Sequence, residues 1–376
     1  MAILISIVRP VLGQSRSAAA FTINLRDYGW EPKERGDFNV PAIAIDGQNR
    51  ILLAFTIRER TGLVTRNEAS RSQHIVRFTP EGEVNLSLSL PTNAGGVAGI
   101  YLSDNNQIIA RANDNLQLLR LDEGSAQKAS WTSIAPCALL CRVAQSHSRR
   151  TLLLFTERGD PVTLIRLSDK PTLERCGKEP QLISPEDKIQ NYPEGITDEY
   201  AYFRGEETGV ESGLFTYRWP LCDYGHRVEI PLRIGGRWLA LNDDAFVVDA
   251  YSSRTGDWGV SVVSSDGEVK FRPTLLKHES ARTLRGSERG NRIAVEVLTL
   301  CGGSRTLDIS SHITARRIAV YDIAAGKELA SIPVSPKHRY GFKFDLSPDG
   351  HRLAILEDDV VRVIDLEVMA SLTSPR

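Results

Sequence analysis

The sequence predicts an all-β protein, a seven-bladed β-propeller in which each blade is an antiparallel sheet of four strands. Three observations lead to this prediction. Two separate strand patterns each recur seven times along the 376 residues. Tight turns rich in Asp, Gly and Pro separate these strands. Gly and Pro are frequent, at 29 and 18 residues, which favours many turns over long helices.

The first pattern is an apolar strand that follows a turn, often with an arginine at its start. The clearest copies are "DGHRLAIL" (349–356), "DGQNRILLAF" (46–55) and "RGNRIAVEV" (289–297). The intervals between copies are roughly 40–60 residues, as expected for propeller blades. The seven strands begin near Ile51, Ile108, Leu152, Tyr200, Trp238, Ile293 and Leu353.

The second pattern alternates apolar and polar residues and ends in another turn, which is a strand-and-hairpin signal. Shorter apolar segments before and after these two strands complete a unit of four. The seven copies of the second pattern occupy residues 74–82, 116–124, 162–170, 214–221, 259–267, 317–326 and 360–368.

The last unit lacks a good fourth strand, whereas a strand-like segment, "AAFTINLRDY" (19–28), precedes the first unit. We therefore expect the N-terminal strand to close the last blade. A ring without this closure would leave its first and last blades free to separate.

Three segments near the C-terminus carry a family resemblance: "VYDIAAGKELASIPV" (320–334), "FDLSPDGHRLAIL" (344–356) and "VVRVIDL" (360–366). Together they resemble bacterial seven-bladed propellers of the WD-repeat-like and YVTN-like superfamily, in which "SPDG" and "DxxxGK" turns alternate. Gly-His and Trp-Asp dipeptides do not occur at the expected places, so the eukaryotic WD-repeat motif is not matched. The resemblance implies the propeller fold and leaves the function open.

Composition excludes some classes of partner. Apolar residues make up 41% and charged residues 25%, and 46 Lys and Arg against 47 Asp and Glu leave a net charge of −1. A nearly neutral chain has no overall field that would attract nucleic acid or an anionic membrane. No apolar segment reaches the length of about 20 residues that spans a bilayer. We expect a monomer without nucleic-acid partners or a membrane span.

The domain organisation follows from these patterns. Residues 21–370 are predicted to form one propeller domain, and residues 371–376 a C-terminal tail. Residues 1–20 are either a truncated or unusual signal peptide or a disordered tail, because an apolar run precedes small residues but lacks a basic start. A signal would place the protein in the periplasm or outside the cell, and its absence would place it in the cytoplasm.

The five cysteines form no CxxC pair and have no histidine at zinc-ligand spacing. In an exported protein one or two disulfides are expected, with at least one thiol left over. Cys137, Cys141 and Cys176 are the candidates. In a reducing compartment the cysteines would instead be small buried residues.

The connections between the second and third strands of the blades, the B–C loops, are long in blade 1 (58–73) and blade 6 (299–316). Loops that vary on a rigid ring commonly carry binding sites, although they are also tolerated as surface insertions. The blade 1 loop holds four arginines that could bind a carboxylate, phosphate or sulfate. They are Arg58, Arg60, Arg66 and Arg71.

No catalytic, cofactor-binding or metal-binding residue is predicted. The sequence has no GxSxG elbow, P-loop or GxGxxG following a strand. The seven histidines are scattered and are expected to be surface or capping residues, with His147 and His351 sharing the turn between the first two strands of a blade. We therefore expect a non-catalytic binding or scaffold propeller that binds a protein, peptide or glycan on the long-loop face. The alternative is a lactonase- or lyase-like propeller enzyme with a metal or acid–base site at one end of its channel.

Overall fold

The computed structural model contains 29 strands and one α-helix within the residues that it describes. The described residues are 19–30, 41–58, 71–92, 100–103, 105, 107–112, 115–121, 129–137, 141–156, 162–176, 188–189, 195–206, 214–223, 228–230, 238–242, 245–251, 258–276, 278–287, 291–301, 313–338 and 342–373. The strands are β1 Ala19–Asn24, β2 Ala42–Ile45, β3 Ile51–Arg58, β4 Arg71–Phe78, β5 Val84–Thr92, β6 Ile100–Leu102, β7 Ile108–Ala112, β8 Asn115–Leu121, β9 Ala129–Pro136, β10 Cys141–Gln145, β11 Thr151–Thr156, β12 Thr163–Arg166, β13 Thr172–Arg175, β14 Lys188–Ile189, β15 Gly195–Ile196, β16 Tyr200–Glu206, β17 Leu214–Pro220, β18 Val228–Ile230, β19 Trp238–Asn242, β20 Ala245–Tyr251, β21 Trp258–Ser264, β22 Val269–Phe271, β23 Glu279–Ser287, β24 Arg292–Leu300, β25 Ile313–Asp322, β26 Lys327–Val334, β27 Phe342–Leu346, β28 Arg352–Glu357 and β29 Val360–Asp365, and the helix is α1 Leu366–Thr373.

The strands form seven antiparallel sheets, which confirms the predicted seven-bladed propeller. Blades 1 to 3 are β2–β5, β6–β9 and β10–β13, and blades 4 to 6 are β14–β18, β19–β22 and β23–β26. In each blade we letter the strands A to D outward, because the A strands contact one another around the ring. Blade 4 departs from the simple pattern: β14 and β15 are two short pieces that both pair with β16.

Blade 7 is built from both ends of the chain. Strands β27, β28 and β29 supply its inner positions, and β1 pairs with β29 as the outer strand. Ile23 of β1 is buried at 4% exposure, and the following Leu25 is fully buried, in a cluster that blades 7 and 1 share. The Leu25 N–H also donates a hydrogen bond of 2.8 Å to the Asp359 carbonyl. The predicted closure of the ring by the N-terminal strand is therefore present.

Apolar clusters fill the spaces between adjacent blades. One cluster joins blades 6 and 7 through residues such as Ile318, Val320, Phe344 and Ile355, all 0–1% exposed. Similar clusters lie between blades 2 and 3 and between blades 3 and 4. The inner strands are thus held by packing on both faces of each sheet, and side chains at their ends have a rigid support.

A buried hydroxyl or carboxylate ends the A strand in several blades and organises the A–B turn. Asp46, for example, is 1% exposed and accepts hydrogen bonds from the backbone N–H groups of Gln48 and Arg50. These short polar side chains satisfy turn donors that would otherwise be buried without partners. The equivalent residues that accept a backbone N–H are Ser103, Ser146, Thr197 and Ser347.

Helix α1 corrects the prediction that the last strand continues to residue 368. The strand ends at Asp365, whose side chain accepts the N–H groups of Glu367 and Val368 and so caps the helix. Leu366 is 1% exposed and packs into the cluster between blades 6 and 7. The helix therefore packs against β26, the outer strand of blade 6. In the described part of the chain, no helix has the length and apolar character needed to cross a membrane.

Two disulfides connect neighbouring blades. Cys137 and Cys141 are joined at the connection between blades 2 and 3, with their Cα atoms 5.2 Å apart. Cys176, after the last strand of blade 3, is joined to Cys222 of blade 4, with a Cα–Cα distance of 4.5 Å. Cys301 is exposed and lies outside both disulfides. Blade 3 is therefore covalently linked to each of its neighbours.

Candidate functional site

The arginine loop of blade 1 lies largely outside the described residues. Arg60 and Arg66 are not among them, and Arg58 and Arg71 are described only as backbone partners that pair at the ends of β3 and β4. Residues 302–312 of the long blade 6 loop are also outside the described part. An anion site formed by Arg58, Arg60, Arg66 and Arg71 stays a prediction.

A cavity of about 330 Å³ lies among the inner strands of four consecutive blades, at the end of the channel where the A–B turns are. Its volume lies at the lower end of the range for small-molecule sites, roughly 300–1,000 Å³. The polar side of the cavity is formed by residues of blades 3 and 6, namely Gln145, Ser146, His147, Arg149 and Arg285. We refer to this space as the channel cavity.

His147, which was expected to be a surface or capping residue, is half-buried and lines the channel cavity. Its ring forms a hydrogen bond with the backbone of Gly286 in blade 6. Burial, reinforced by the nearby Arg149, lowers the pKa of His147 to about 4. At neutral pH the side chain is therefore an uncharged hydrogen-bonding group.

Gly286 is the residue that permits this close approach. A Cβ atom at this position would lie 2.2 Å from Cδ2 of Leu241 and 3.3 Å from Nε2 of His147. Only glycine fits between the two side chains without displacing one of them. The blade 6 strand therefore comes close enough to hold the imidazole in the cavity.

Arg149 has an unusual backbone conformation for an arginine. Its φ angle is 65°, in the left-handed region. The corresponding turn positions hold Asn49 in blade 1 and Gly350 in blade 7, and in all three turns this residue's N–H bonds to the carbonyl three residues earlier. Asn and Gly tolerate this conformation well, whereas arginine adopts it at a cost. Strain of this kind often marks a residue that is retained for its side chain.

The Arg149 side chain extends across the channel. Its Nη1 donates a hydrogen bond to the carbonyl oxygen of Ile45 in blade 1. Its Nη2 lies 3.6 Å from Oδ2 of Asp345 in blade 7. One guanidinium from blade 3 thus reaches two blades on the other side of the ring.

Asp345 is a carboxylate of blade 7 that lies near both arginines of the cavity lining. Its Oδ2 accepts the Ile45 N–H at 2.9 Å, and its Oδ1 lies 4.0 Å from Nε of Arg285. The Arg285 side chain is 45% exposed, so it links the cavity to solvent. Lys343 is two residues before Asp345 on β27, so the two side chains are on the same face of the strand. Burial, and then the nearby Arg285, lower the pKa of Lys343.

The opposite wall of the channel cavity is apolar. Ile196 of blade 4 is 2% exposed, Ala240 of blade 5 is 4% exposed, and Leu239 beside it is half-buried. The cavity therefore has a cationic side, from blades 3 and 6, and an apolar side, from blades 4 and 5. This arrangement provides for binding and orientation of an anionic group.

The remaining polar groups of the cavity are used by the fold. The Ser146 hydroxyl accepts the Thr151 N–H, and the neighbouring Ser148 hydroxyl donates to the Asp198 carboxylate at 2.7 Å.

Among the described residues, no group of three or more His, Cys, Asp or Glu side chains is placed to hold a metal ion.

The residues of this site carry no motif in the sequence, and only His147 was placed in advance, in an A–B turn. One signal for Arg149 was present. When the turns "DGQN", "SHSR" and "SPDG" are aligned, the fourth position is Asn or Gly in two of them and Arg149 in the third. An arginine at a position that favours Asn or Gly suggests that its side chain has a specific role. The cross-channel contacts of Arg149 and Asp345 depend on the closed ring and have no local signature.

Known proteins resemble the chain in structure only. No protein-family model matches it, and no curated protein matches its sequence. A chain in a structure described as the mitotic checkpoint complex has a TM-score of 0.46 and 10% identity, covering 97% of this chain and 98% of that one. The Cps50 (Swd1) β-propeller domain of Myceliophteria thermophila has a TM-score of 0.43 and 12% identity, with coverage of 89% and 99%.

Virginiamycin B lyase from Staphylococcus aureus is similar to the same extent, with a TM-score of 0.46, 10% identity, and coverage of 92% and 98%. Identities this low relate the proteins by fold alone. The seven antiparallel sheets themselves define the class of the protein as a seven-bladed β-propeller, and its function must be argued from the channel cavity.

Proposed function

We propose that the protein is a non-catalytic binding propeller that takes an anionic group into the channel cavity. The observation that carries the proposal is the presence of Arg149 and Arg285 in the lining of a cavity open to solvent, where both lie near the Asp345 carboxylate. Arginine presents several N–H donors in a fixed plane and is suited to carboxylate and phosphate groups. The hydrogen bond to the Ile45 carbonyl and the contact with Asp345 hold the Arg149 side chain in place before a ligand arrives, which reduces the entropy lost on binding.

A binding role is favoured over the lactonase- or lyase-like alternative. A general acid or base works best when its pKa is close to the working pH. His147, with a pKa of about 4, is a weak base and is uncharged at neutral pH. The Ser146 hydroxyl accepts the Thr151 N–H of its own turn, and the Ser148 hydroxyl donates to the Asp198 carboxylate of blade 4.

The proposal also has a macromolecular part. The face with the long B–C loops is the end opposite the channel cavity, and we retain it as the surface for a protein, peptide or glycan partner. Shortening the loops at 58–73 and 299–316 tests this part, because unchanged partners in a pull-down would contradict it. The two sites would lie on opposite faces of one rigid ring.

Export from a bacterial cell belongs to the same proposal. Two disulfides between blades are typical of proteins that fold in an oxidising compartment. Membership of the WD-repeat-like and YVTN-like superfamily, which the sequence resembles, fits this view. A mature N-terminus that begins at residue 1, measured by mass spectrometry, would argue against a cleaved signal.

The anion site is tested by the variants Arg149→Asn and Arg285→Gln. Each charge-assisted hydrogen bond contributes about 1.5–3 kcal/mol, so each variant is expected to weaken anion binding at least about tenfold. Asparagine suits the left-handed backbone at 149, as Asn49 shows in blade 1, so this variant should remain folded. The measurement is a titration of 13C-labelled acetate followed by NMR line broadening.

The matched control is Arg175→Gln, which removes an exposed arginine from the outer strand of blade 3. This variant is expected to bind acetate as the unaltered protein does. Equal broadening in all four proteins would contradict the proposed site.

A further inference from the structure

The two walls of the channel cavity differ in chemistry, and this difference restricts the ligand. On one side Arg149 and Arg285 approach Asp345 at 3.6 and 4.0 Å. On the other side Ile196, Leu239 and Ala240 present carbon atoms from two adjacent inner strands. A ligand that satisfies both walls must have a charged end and an apolar end.

We propose that the ligand of the channel cavity is a small carboxylic acid with a short apolar chain. This inference rests on the proposed function, since it specifies what the anion-binding cavity takes. The ligand's carboxylate lies on the cavity side of Arg149 and Arg285, beside the Asp345 carboxylate that they already contact, and the apolar chain extends toward Leu239 and Ile196. The exposed part of Arg285 provides the entry from solvent.

The headgroup is a carboxylate rather than a doubly charged phosphate because of Asp345. Asp345 already places one negative charge beside both arginines, so it repels a dianionic ligand more strongly than a monoanionic one. His147, being neutral at pH 7, adds hydrogen-bonding capacity to the site and no further positive charge.

The apolar wall is structurally firm. Ile196 is packed in the cluster between blades 3 and 4, and Leu239 is packed against the cluster between blades 5 and 6. Side chains that are fixed by packing make a preformed apolar surface, so an alkyl chain gains free energy by leaving water for it. Affinity should then increase with chain length until the cavity is filled.

The experiment is an NMR titration of the full chain with acetate, butyrate and hexanoate, with hexanol as an uncharged ligand of the same length. We expect the dissociation constant to fall by about fourfold for each methylene group that is buried. Hexanol is expected to bind at least about tenfold more weakly than hexanoate, because it lacks the charge-assisted hydrogen bonds.

The variant Leu239→Ala separates the two walls. It should reduce the preference for hexanoate over acetate, because the longer chain loses more contact with the apolar wall. Leu173→Ala is the matched control, because Leu173 is 49% exposed on the outer strand of blade 3 and far from the cavity by its position in the fold. Thermal unfolding followed by circular dichroism verifies that both variants are folded.

The outcomes distinguish this inference from the proposed function. Equal affinity for acetate, butyrate and hexanoate would overturn the apolar chain and leave an anion site in place. Hexanol binding as tightly as hexanoate, or no binding of any carboxylate, would overturn both.

Discussion

Replacing Ile23 by alanine is expected to lower the free energy of unfolding by about 2–5 kcal/mol, the range for truncating a buried large aliphatic side chain. Ile23 is 4% exposed and pairs with Val361 in the sheet that closes the ring. Its side chain contributes to the cluster shared by blades 7 and 1. The loss should therefore weaken the junction between the two ends of the chain. Urea denaturation followed by fluorescence measures the change.

The control for this prediction is Thr22→Ala in the same strand. Thr22 pairs with Arg362 and its side chain is exposed, so its replacement is expected to change stability by about 0.5 kcal/mol or less. Similar effects of the two substitutions would show that β1 does not close the ring by packing.

Removing the disulfide between blades 3 and 4, as Cys176→Ser with Cys222→Ser, is expected to destabilise the protein by about 4 kcal/mol. The crosslink closes a segment with a sequence separation of 46, and the entropy removed from the unfolded chain increases with this length. Removing both Cys137 and Cys141, whose separation is only 4, should cost about 2 kcal/mol on the same basis. The comparison is made by urea denaturation under non-reducing conditions.

Cys301→Ser is the control for the disulfide series, because Cys301 is exposed and outside both crosslinks. We expect little change in stability. A smaller effect for the long-range crosslink than for the short one would contradict the expected dependence on loop length.

The architecture was largely predictable because its signals are local and repeated. Each blade has its own apolar alternation and turn residues, and seven weak copies support one another. The closure by 19–28 could also be inferred, since the last unit had only three strands. Apolar and polar residues that alternate over a short segment indicate a strand without information from the rest of the chain.

Other features depended on interactions that no local pattern records. The helix after Asp365 is selected by the cap that this residue provides and by the burial of Leu366, although the segment alternates like a strand. The partner of Cys176 also required the ring, because Cys222 is adjacent only when blades 3 and 4 are packed.

The candidate site was the part least accessible from sequence. Sequence reasoning favoured arginines clustered along the chain, at 58–71, whereas Arg149 and Arg285 are 136 positions apart by number and meet only across the channel. Propeller channels combine residues from distant repeats, so a charged cluster there leaves no trace in residue spacing. A turn alignment would have provided one clue, because it places Arg149 at a position where the other turns have Asn or Gly. The left-handed backbone of Arg149 agrees with that clue.

The central claim is that an anionic group binds at the A–B-turn end of the channel. X-ray diffraction from crystals soaked in 4-bromobutyrate tests it most directly, because the anomalous signal of bromine locates the ligand's apolar end. The expected result is a bromine peak beside Leu239 and Ile196, with carboxylate density on the cavity side of Arg149 and Arg285. A channel cavity without ligand density, or a bromine peak only on the face of the long B–C loops, would contradict the claim.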